Sequence, residues 1–288
     1  MRDLYIGSYA NQANQGIYKL SNNQISLVTQ CHVPTYLVKK DHFIYSVFQD
    51  ERGCGVMIID LNNDNYRKKI YSQEQRVSCH IDVNDHIIVT ANYHLACVCI
   101  YRNQQLHHVI EFDHLSHPHC VKLYNDQLWV VDLGLDCIYV YDINTYQRIK
   151  TLIAPQGAGI RHIVQQDNIT YAITEYSAQL LKYEDDSLVD VINLANDLFD
   201  QQGSAIRIYQ HHLYTCNRLS NVIYEISLST FSVIREIVLP KGHCRDFDII
   251  EDTLIICNMN SNQVLLMDLN TLKIKNEYSI YKPSCIAI

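Results

Sequence analysis

The sequence predicts an all-β protein, a seven-bladed β-propeller with four antiparallel strands in each blade. Three observations predict it: one apolar, β-rich segment recurs seven times, each repeat contains four strand-like segments, and the two chain ends complement each other. The composition agrees, since 21 Tyr against 9 Gly and 5 Pro favours strands over disorder.

The recurring segment spans the whole chain. Its copies begin, in order, at Leu4, Ile44, Ile87, Leu128, Thr170, Leu213 and Leu254. They follow one another at intervals of 40 to 43 residues, and the step from the last copy through the C-terminus back to the first is 38 residues. Helical repeats of this length would show apolar spacings of three and four, which are absent. We therefore expect residues 1–288 to form a single propeller domain.

The repeat around Leu128 shows the content of one blade. It reads HCVKLY at 119–124, LWVVDLG at 128–134, CIYVYDI at 137–143 and RIKTLI at 148–153, and we name these strands A, B, C and D. The least strand-like stretch of the chain is LANDLFDQQG at 194–203. It predicts a short helical turn or an irregular loop before an A strand.

The two chain ends predict how the ring closes. The chain begins with a B strand (LYIGSYA), continues with GIYKL and ISLVTQ, and ends with PSCIAI, which matches strand A. The last blade is therefore assembled from both termini, which leaves no unpaired inner edge. We expect deletion of residues 283–288 to prevent soluble expression; a well-folded truncated protein would contradict this.

Charge and composition narrow the function classes. A formal charge of −8 and a pI near 5.9 disfavour nucleic acid and anionic membranes as partners. No stretch reaches the ~18 apolar residues of a membrane span, so we expect a cytoplasmic protein, and we take a monomer as the default. The 11 Cys lie mostly in apolar strand patterns and predict buried thiols. Cys97 and Cys99 share one face of a strand and predict no ligand set, and we expect neither metal nor cofactor.

Polar residues gather where the chemistry is expected. The start of strand A and the end of strand B lie at the same end of a hairpin, so seven hairpins bring these positions to one mouth of the channel. The A starts are Cys79-His80, His119-Cys120, Arg161-His162, Ser204-Ala205 and Arg245-Asp246, and the B ends include Asn92-Tyr93, Asp132, Glu175-Tyr176, Asn217-Arg218 and Asn258. For any one residue, a structural cap is an equal alternative. As a set, they suit a carboxylate or phosphate ligand, and Glu175 and His119 could transfer a proton.

The chain also resembles the lactonase family of seven-bladed propellers, which includes cycloisomerase-type 6-phosphogluconolactonase and fungal carboxymuconate cycloisomerase. The motifs that carry the resemblance are LYIGSYA with GIYKL, Pro34-Thr35-Tyr36-Leu37, Ala91-Asn92-Tyr93, His117-Pro118-His119, Asp132-Leu133-Gly134-Leu135-Asp136, Gly159-Ile160-Arg161-His162, Glu175, Asn217-Arg218 and Arg245-Asp246-Phe247. The family's usual Gly-Pro-Arg-His is Gly-Ile-Arg-His here, and Cys244 replaces the Pro before Arg245.

The resemblance implies a metal-independent hydrolase of a small anionic sugar lactone, with 6-phospho-D-glucono-1,5-lactone as the first candidate. It implies four catalytic residues, which are His119, Arg161, Glu175 and Arg218. We expect four substrate contacts in addition, at His80, Asn92, His162 and Arg245. Either Glu175 or His119 could be the general base. Two other functions stay open: a carboxymuconate-type cycloisomerase, and a non-catalytic propeller that binds a protein or peptide.

Overall fold

The computed structural model describes residues 3–12, 15–63, 66–72, 74–195 and 201–288. Seven four-stranded antiparallel sheets follow one another along the chain and form a ring, as the sequence predicts. In each sheet the four strands pair in the order A, B, C and D, and the A strands of neighbouring blades contact one another around the channel. Among these residues, no helix has the length and hydrophobicity to cross a membrane.

Blades 1 to 7 are numbered in chain order from the first sheet that is continuous in sequence. Blade 1 holds β4 (Leu37–Lys40), β5 (Phe43–Asp50), β6 (Gly53–Asp60) and β7 (Arg67–Tyr71). Blade 2 holds β8 (His80–Val83), β9 (Ile87–Asn92), β10 (Cys97–Arg102) and β11 (Gln105–Glu111). Blade 3 holds β12 (Pro118–Tyr124), β13 (Gln127–Asp132), β14 (Cys137–Asp142) and β15 (Arg148–Ile153). Blade 4 holds β16 (Ile160–Gln166), β17 (Ile169–Thr174), β18 (Gln179–Glu184) and β19 (Ser187–Asn193).

The remaining strands complete the ring. Blade 5 holds β20 (Gly203–Tyr209), β21 (His212–Asn217), β22 (Val222–Ser227) and β23 (Ser232–Val238). Blade 6 holds β24 (Cys244–Ile250), β25 (Thr253–Asn258), β26 (Gln263–Asp268) and β27 (Ile274–Ser279). Blade 7 holds β28 (Pro283–Ala287), β1 (Leu4–Ser8), β2 (Gly16–Ser21) and β3 (Gln24–Gln30).

The closure of the ring confirms that both termini build the last blade. Strand β28 supplies strand A and pairs with β1, with Tyr5 opposite Ala287 and Ile6 opposite Ile286. Of the segment 194–203, residues 196–200 lie outside the described part of the chain, so the turn predicted there is not described; β20 begins at Gly203.

Burial follows the position of each strand in its blade. The B strands are almost fully buried, whereas the outer D strands are largely exposed. Apolar side chains of neighbouring blades form shared clusters; Val131 and Ile138 of blade 3 pack with Ala172 and Leu181 of blade 4. Ten of the 11 Cys are buried in these layers, as expected, and burial raises the pKa of thiols such as Cys31, to about 12.

Irregular pairing at the start of the A strands shapes the channel mouth. In five blades the A–B register shifts there, because strand A carries extra residues that face no partner. These extra residues are His119, Arg161, Ser204-Ala205, Arg245 and Ser284. A β-bulge releases a residue from the ladder and re-aims its side chain. The bulges therefore set the directions of the polar residues at the mouth.

Candidate active site at the channel mouth

The start of strand A contributes two layers of side chains to the channel. The first layer lines a small cavity at the mouth and includes Thr35, Cys79, His119, Arg161, Arg245 and Ser284. The next residue of each strand lies in the layer below, which includes Tyr36, His80, Cys120, His162 and Asp246. Residues adjacent in sequence thus lie at different depths, because the first of each pair is the bulged or pre-strand residue.

Glu175 joins two arginines at the mouth. It follows strand β17, and its Oε2 lies 2.8 Å from Arg161 Nε while its Oε1 lies 2.9 Å from Arg218 Nη2. Arg161 also donates from Nη1 to the Ser204 carbonyl oxygen, at 2.5 Å. Burial alone would raise the pKa of the Glu175 carboxyl, but the charges of Arg161, Arg218 and Arg245 outweigh burial and lower it. Glu175 is therefore a carboxylate at neutral pH.

The mouth carries an excess of positive charge. Arg161 and Arg218 share the carboxylate of Glu175, and a third guanidinium group, that of Arg245, donates from Nη2 to Tyr9 Oη at 3.1 Å. Burial, followed by the charges of Arg161 and Arg245, lowers the pKa of Arg218 to about 9. A cation crowded in this way is stabilised by an added anion, so the mouth favours a negatively charged ligand.

His119 and Arg218 have buried polar atoms that lack a hydrogen-bond partner. In His119 this atom is Nδ1, and in Arg218 it is Nε, while Arg218 Nη2 forms the ion pair with Glu175. Burial, and then the charges of Arg161 and Arg245, hold the pKa of His119 well below its ordinary value of 6.5. His119 is therefore a neutral imidazole that can accept a proton, and the Nε of Arg218 is a free donor.

His80 and His162 lie beneath the mouth, with Tyr36. The ring of His162 lies 5.2 Å from that of His119 and 5.3 Å from that of His80, and the His80 ring packs 3.9 Å from Tyr36. The Nδ1 of His80 accepts a hydrogen bond from the Val121 amide at 3.4 Å. Both imidazoles thus form the floor between the mouth and the opposite cavity, and His80 faces that opposite cavity.

Asn92 is held within its own blade. Its Nδ2 donates to Glu74 Oε1 at 2.6 Å and to the Arg76 carbonyl oxygen at 2.7 Å, and its Oδ1 accepts from the amides of His94 and Leu95. Asp132 caps the corresponding turn of blade 3 in the same way. Every polar atom of the Asn92 side chain is occupied, so its position indicates a turn cap rather than a substrate contact.

Three residues at the mouth were not among the predicted catalytic and substrate-binding residues. Tyr9 binds Arg245, Cys79 takes the position in blade 2 that His119 holds in blade 3, and His243 precedes strand β24. Burial, and then the charge of Arg218, lower the pKa of His243 to about 4. The repeat could have predicted Tyr9. This residue follows the B strand of blade 7, just as Tyr93 and Tyr176 follow the B strands of blades 2 and 4.

A larger cavity lies away from this cluster. It has a volume of about 740 Å³ and lies beside β5, β6 and β7. Three of its polar groups bond to each other, since Lys69 Nζ and Tyr71 Oη both donate to Asp50, at 2.7 and 2.9 Å. Among the described residues, unpartnered buried polar atoms occur at the mouth and not in that cavity. The mouth is therefore the candidate active site.

Comparison with known proteins agrees with this architecture. The model of the family described as "Lactonase, 7-bladed beta-propeller" matches residues 3–287. An uncharacterized protein of Staphylococcus epidermidis is 26% identical over 302 aligned residues, which cover 88% of each chain. A Lactobacillus plantarum protein superposes with a TM-score of 0.85 at 20% identity, over 99% of this chain and 98% of that one. A candidate 6-phosphogluconolactonase of Bacteroides fragilis gives 0.81 at 20% identity, over 99% and 96%.

Proposed function

The chain belongs to the lactonase family of seven-bladed β-propellers, and from this premise we propose that it hydrolyses a lactone that carries an anionic group. The first candidate is 6-phospho-D-glucono-1,5-lactone, because the description of the Bacteroides fragilis neighbour names that activity. The S. epidermidis relative has no assigned substrate and does not narrow the choice.

One observation carries the proposal. The mouth combines an unpartnered cationic donor, Arg218 Nε, with an unpartnered neutral base, His119 Nδ1, and both side chains are almost fully buried. Buried polar atoms are rarely left unpaired, and where they are, a ligand or catalytic role is a frequent reason. An ester carbonyl needs donors for its oxyanion and a base for the attacking water, which are the two functions present.

The reaction begins with water. The cavity bounded by His119, Arg161 and Arg245 has a volume of about 20 Å³, which is room for one water molecule and not for a sugar ring. The lactone therefore lies over the rim with its carbonyl carbon toward this water. His119 Nδ1 removes a proton from the water as its oxygen bonds to the carbonyl carbon, and the carbonyl oxygen becomes an oxyanion.

Arg218 stabilises that oxyanion through its free Nε donor. Collapse of the tetrahedral intermediate breaks the bond between the carbonyl carbon and the ring oxygen, and protonated His119 returns the proton to that oxygen. Arg161 and Arg245 hold the remote phosphate or carboxylate of the substrate. Glu175 orients Arg161 and Arg218, because each of its carboxylate oxygens pairs with one of these guanidinium groups. No step uses a metal, so we propose that chelators leave the rate unchanged.

The experiment that tests this function measures hydrolysis of freshly generated 6-phosphogluconolactone, corrected for spontaneous opening. Wild type is compared with Arg161→Ala and Arg218→Ala, and with His114→Ala as a control at an exposed surface histidine. We expect the control to match wild type and each arginine variant to lose at least about 10²-fold in kcat/KM.

Activity that persists in both arginine variants would contradict the assignment of the site. An inactive wild-type protein would contradict the choice of 6-phosphogluconolactone as the substrate. The same three guanidinium groups would also bind the carboxylates of a muconate-like acid, so cycloisomerisation of such an acid is the second reaction to measure.

A further inference from the structure

A second cluster of chemically reactive side chains lies between blades 1 and 2. Glu74 lies in the connection between β7 and β8, and Cys97 and Cys99 lie on β10. One carboxylate oxygen and the two Sγ atoms all lie within 4.8 Å of one another, and all three side chains are buried. None of them lines the mouth cavity.

Glu74 is a buried carboxylate without a cationic partner. Its Oε1 accepts from Asn92 Nδ2 at 2.6 Å, its Oε2 accepts from Ser72 Oγ at 2.7 Å, and Ser78 Oγ lies 3.1 Å from Oε1. Within the described ranges, no Lys, Arg or His forms an ion pair with it, whereas Glu175 and Glu225 each pair with an arginine. A buried charge is costly unless a counter-charge compensates it, so this carboxylate lacks a cation.

Two unpartnered polar atoms lie on the same side of the sheet. Thr90 is opposite Cys99 in the β9–β10 ladder, and Tyr101 follows Cys99 by two residues, so all three side chains share one face. Thr90 Oγ1 and Tyr101 Oη are buried and have no hydrogen-bond partner. In the part of the chain that the structure describes, the other such atoms belong to His119, Arg218 and Ser220, at or next to the mouth.

The neighbouring blade shows that the repeat does not require this cluster. Cys137 begins β14 as Cys97 begins β10, but Tyr139 stands where blade 2 has Cys99. The second thiol is therefore specific to blade 2, and Cys137 offers a control at an equivalent position.

We propose that Glu74, Cys97 and Cys99 bind a thiophilic divalent cation, Zn²⁺, which holds the β7–β8 connection against β10. Two thiolates and one carboxylate are a ligand set that zinc accepts, with a fourth position left for water or a nearby hydroxyl. Ser72, Ser78 and Asn92 hold the carboxylate in place, as outer ligands do in zinc sites. Binding replaces two thiol protons, which are released to solvent, so zinc affinity rises with pH.

From the sequence we predicted that Cys97 and Cys99 form no ligand set, and this prediction took only the two thiols into account. Glu74 precedes Cys97 by 23 residues and reaches the thiols only because blades 1 and 2 pack together. The site uses none of the groups assigned to lactone hydrolysis, so both proposals can be tested separately.

The test is titration of chelator-treated protein with Co²⁺ as a coloured substitute for Zn²⁺. We expect about one Co²⁺ per chain, with near-ultraviolet absorption from thiolate ligands and visible bands of a four-coordinate ion, all removed when Zn²⁺ displaces the cobalt. Cys99→Ser and Glu74→Gln should weaken binding by at least about tenfold, and Cys137→Ser should bind as wild type does.

Absence of thiolate absorption in wild type would overturn the proposal, and so would unchanged binding in both Cys99→Ser and Glu74→Gln. If Cys99→Ser does not fold, Glu74→Gln carries the same comparison, because it keeps the side-chain shape and both thiols. As a measurement independent of cobalt, Zn²⁺ should raise the thermal midpoint of wild type and of Cys137→Ser but not that of Glu74→Gln.

Discussion

Blade 5 holds two arginines with opposite surroundings. Arg207, on β20, donates from Nη2 to Asp246 at 2.8 Å and from Nε to Asp248 at 3.3 Å, so one cation lies between two carboxylates. Arg218, directly after β21, shares the carboxylate of Glu175 with Arg161 and keeps its Nε donor unpartnered. Charge balance and unused hydrogen-bonding capacity, rather than residue type, therefore distinguish an arginine used by the fold from one available to a ligand.

The layer between the two arginines separates these roles. His80, His162 and Tyr36 fill the channel below the mouth and above Arg207. Each histidine is buried and neutral, because burial lowers its pKa first and the surrounding cations lower it further.

The largest effect is expected from His119→Ala, which removes the base beside the unpaired arginine. We expect kcat/KM for the lactone to fall by about 10² to 10⁴-fold with little loss of folded protein. Steady-state kinetics measures this, and circular dichroism controls for folding. Wild-type activity in the folded variant would show that the unpartnered Nδ1 has no catalytic use.

Acidification should destabilise the layer between the arginines. The pKa values of His80, His119 and His162 are lowered in the folded state, so their contribution is present above the ordinary value of 6.5 and is lost as pH falls. Each lowered histidine contributes about 1.4 kcal/mol per pH unit below that value. Urea unfolding between pH 7 and 5 measures the slope. His162→Phe should reduce it by about a quarter, because His243, whose pKa is lowered to about 4, contributes to the slope as well. The exposed control His114→Phe should not change it.

Removal of Arg207, the arginine that pairs with two carboxylates, should lower the free energy of unfolding and leave the rate of lactone hydrolysis unchanged. Arg207→Met leaves Asp246 buried beside Asp248 without a cation, and we expect a loss of about 3 kcal/mol in the free energy of unfolding. Denaturant unfolding measures this, with the exposed ion-pair variant Lys150→Met as a control near zero. An unchanged midpoint together with lost activity would reverse the roles assigned to the two arginines.

The smallest effect concerns salt. An excess of positive charge at the mouth should attract an anionic lactone, so raising the ionic strength from about 0.05 to about 0.5 M should raise KM a few-fold. A neutral lactone of similar size is the matched control and should show no such change. Equal responses of both substrates would mean that the guanidinium groups do not bind the anionic part.

Particular residues show how far the sequence led. The repeat of strand B predicted all seven blades, and the A-start and B-end rule brought His119, Arg161, Glu175 and Arg218 to one mouth. The same rule grouped His80 and Asn92 with them, but His80 lies one layer lower and Asn92 caps a turn. The rule did not yield Tyr9, because the end of strand β1, the B strand of blade 7, was not included among the B-strand ends.

The sequence alone determined the ring and the end of it at which polar chemistry gathers, because hydrophobic alternation and repeat length follow directly from residue order. Which side chain of each adjacent pair enters the mouth could be seen in the three-dimensional structure alone. The reason is that a β-bulge shifts the register by one residue, and no residue type in the sequence predicts where it occurs. The tertiary structure likewise decided which buried charges have partners. The ion pairs join Arg207 to Asp246 and Glu175 to Arg218, and Glu74 of the β7–β8 connection lies beside two thiols of β10. These residues are far apart in the sequence, so no local pattern predicts their contacts.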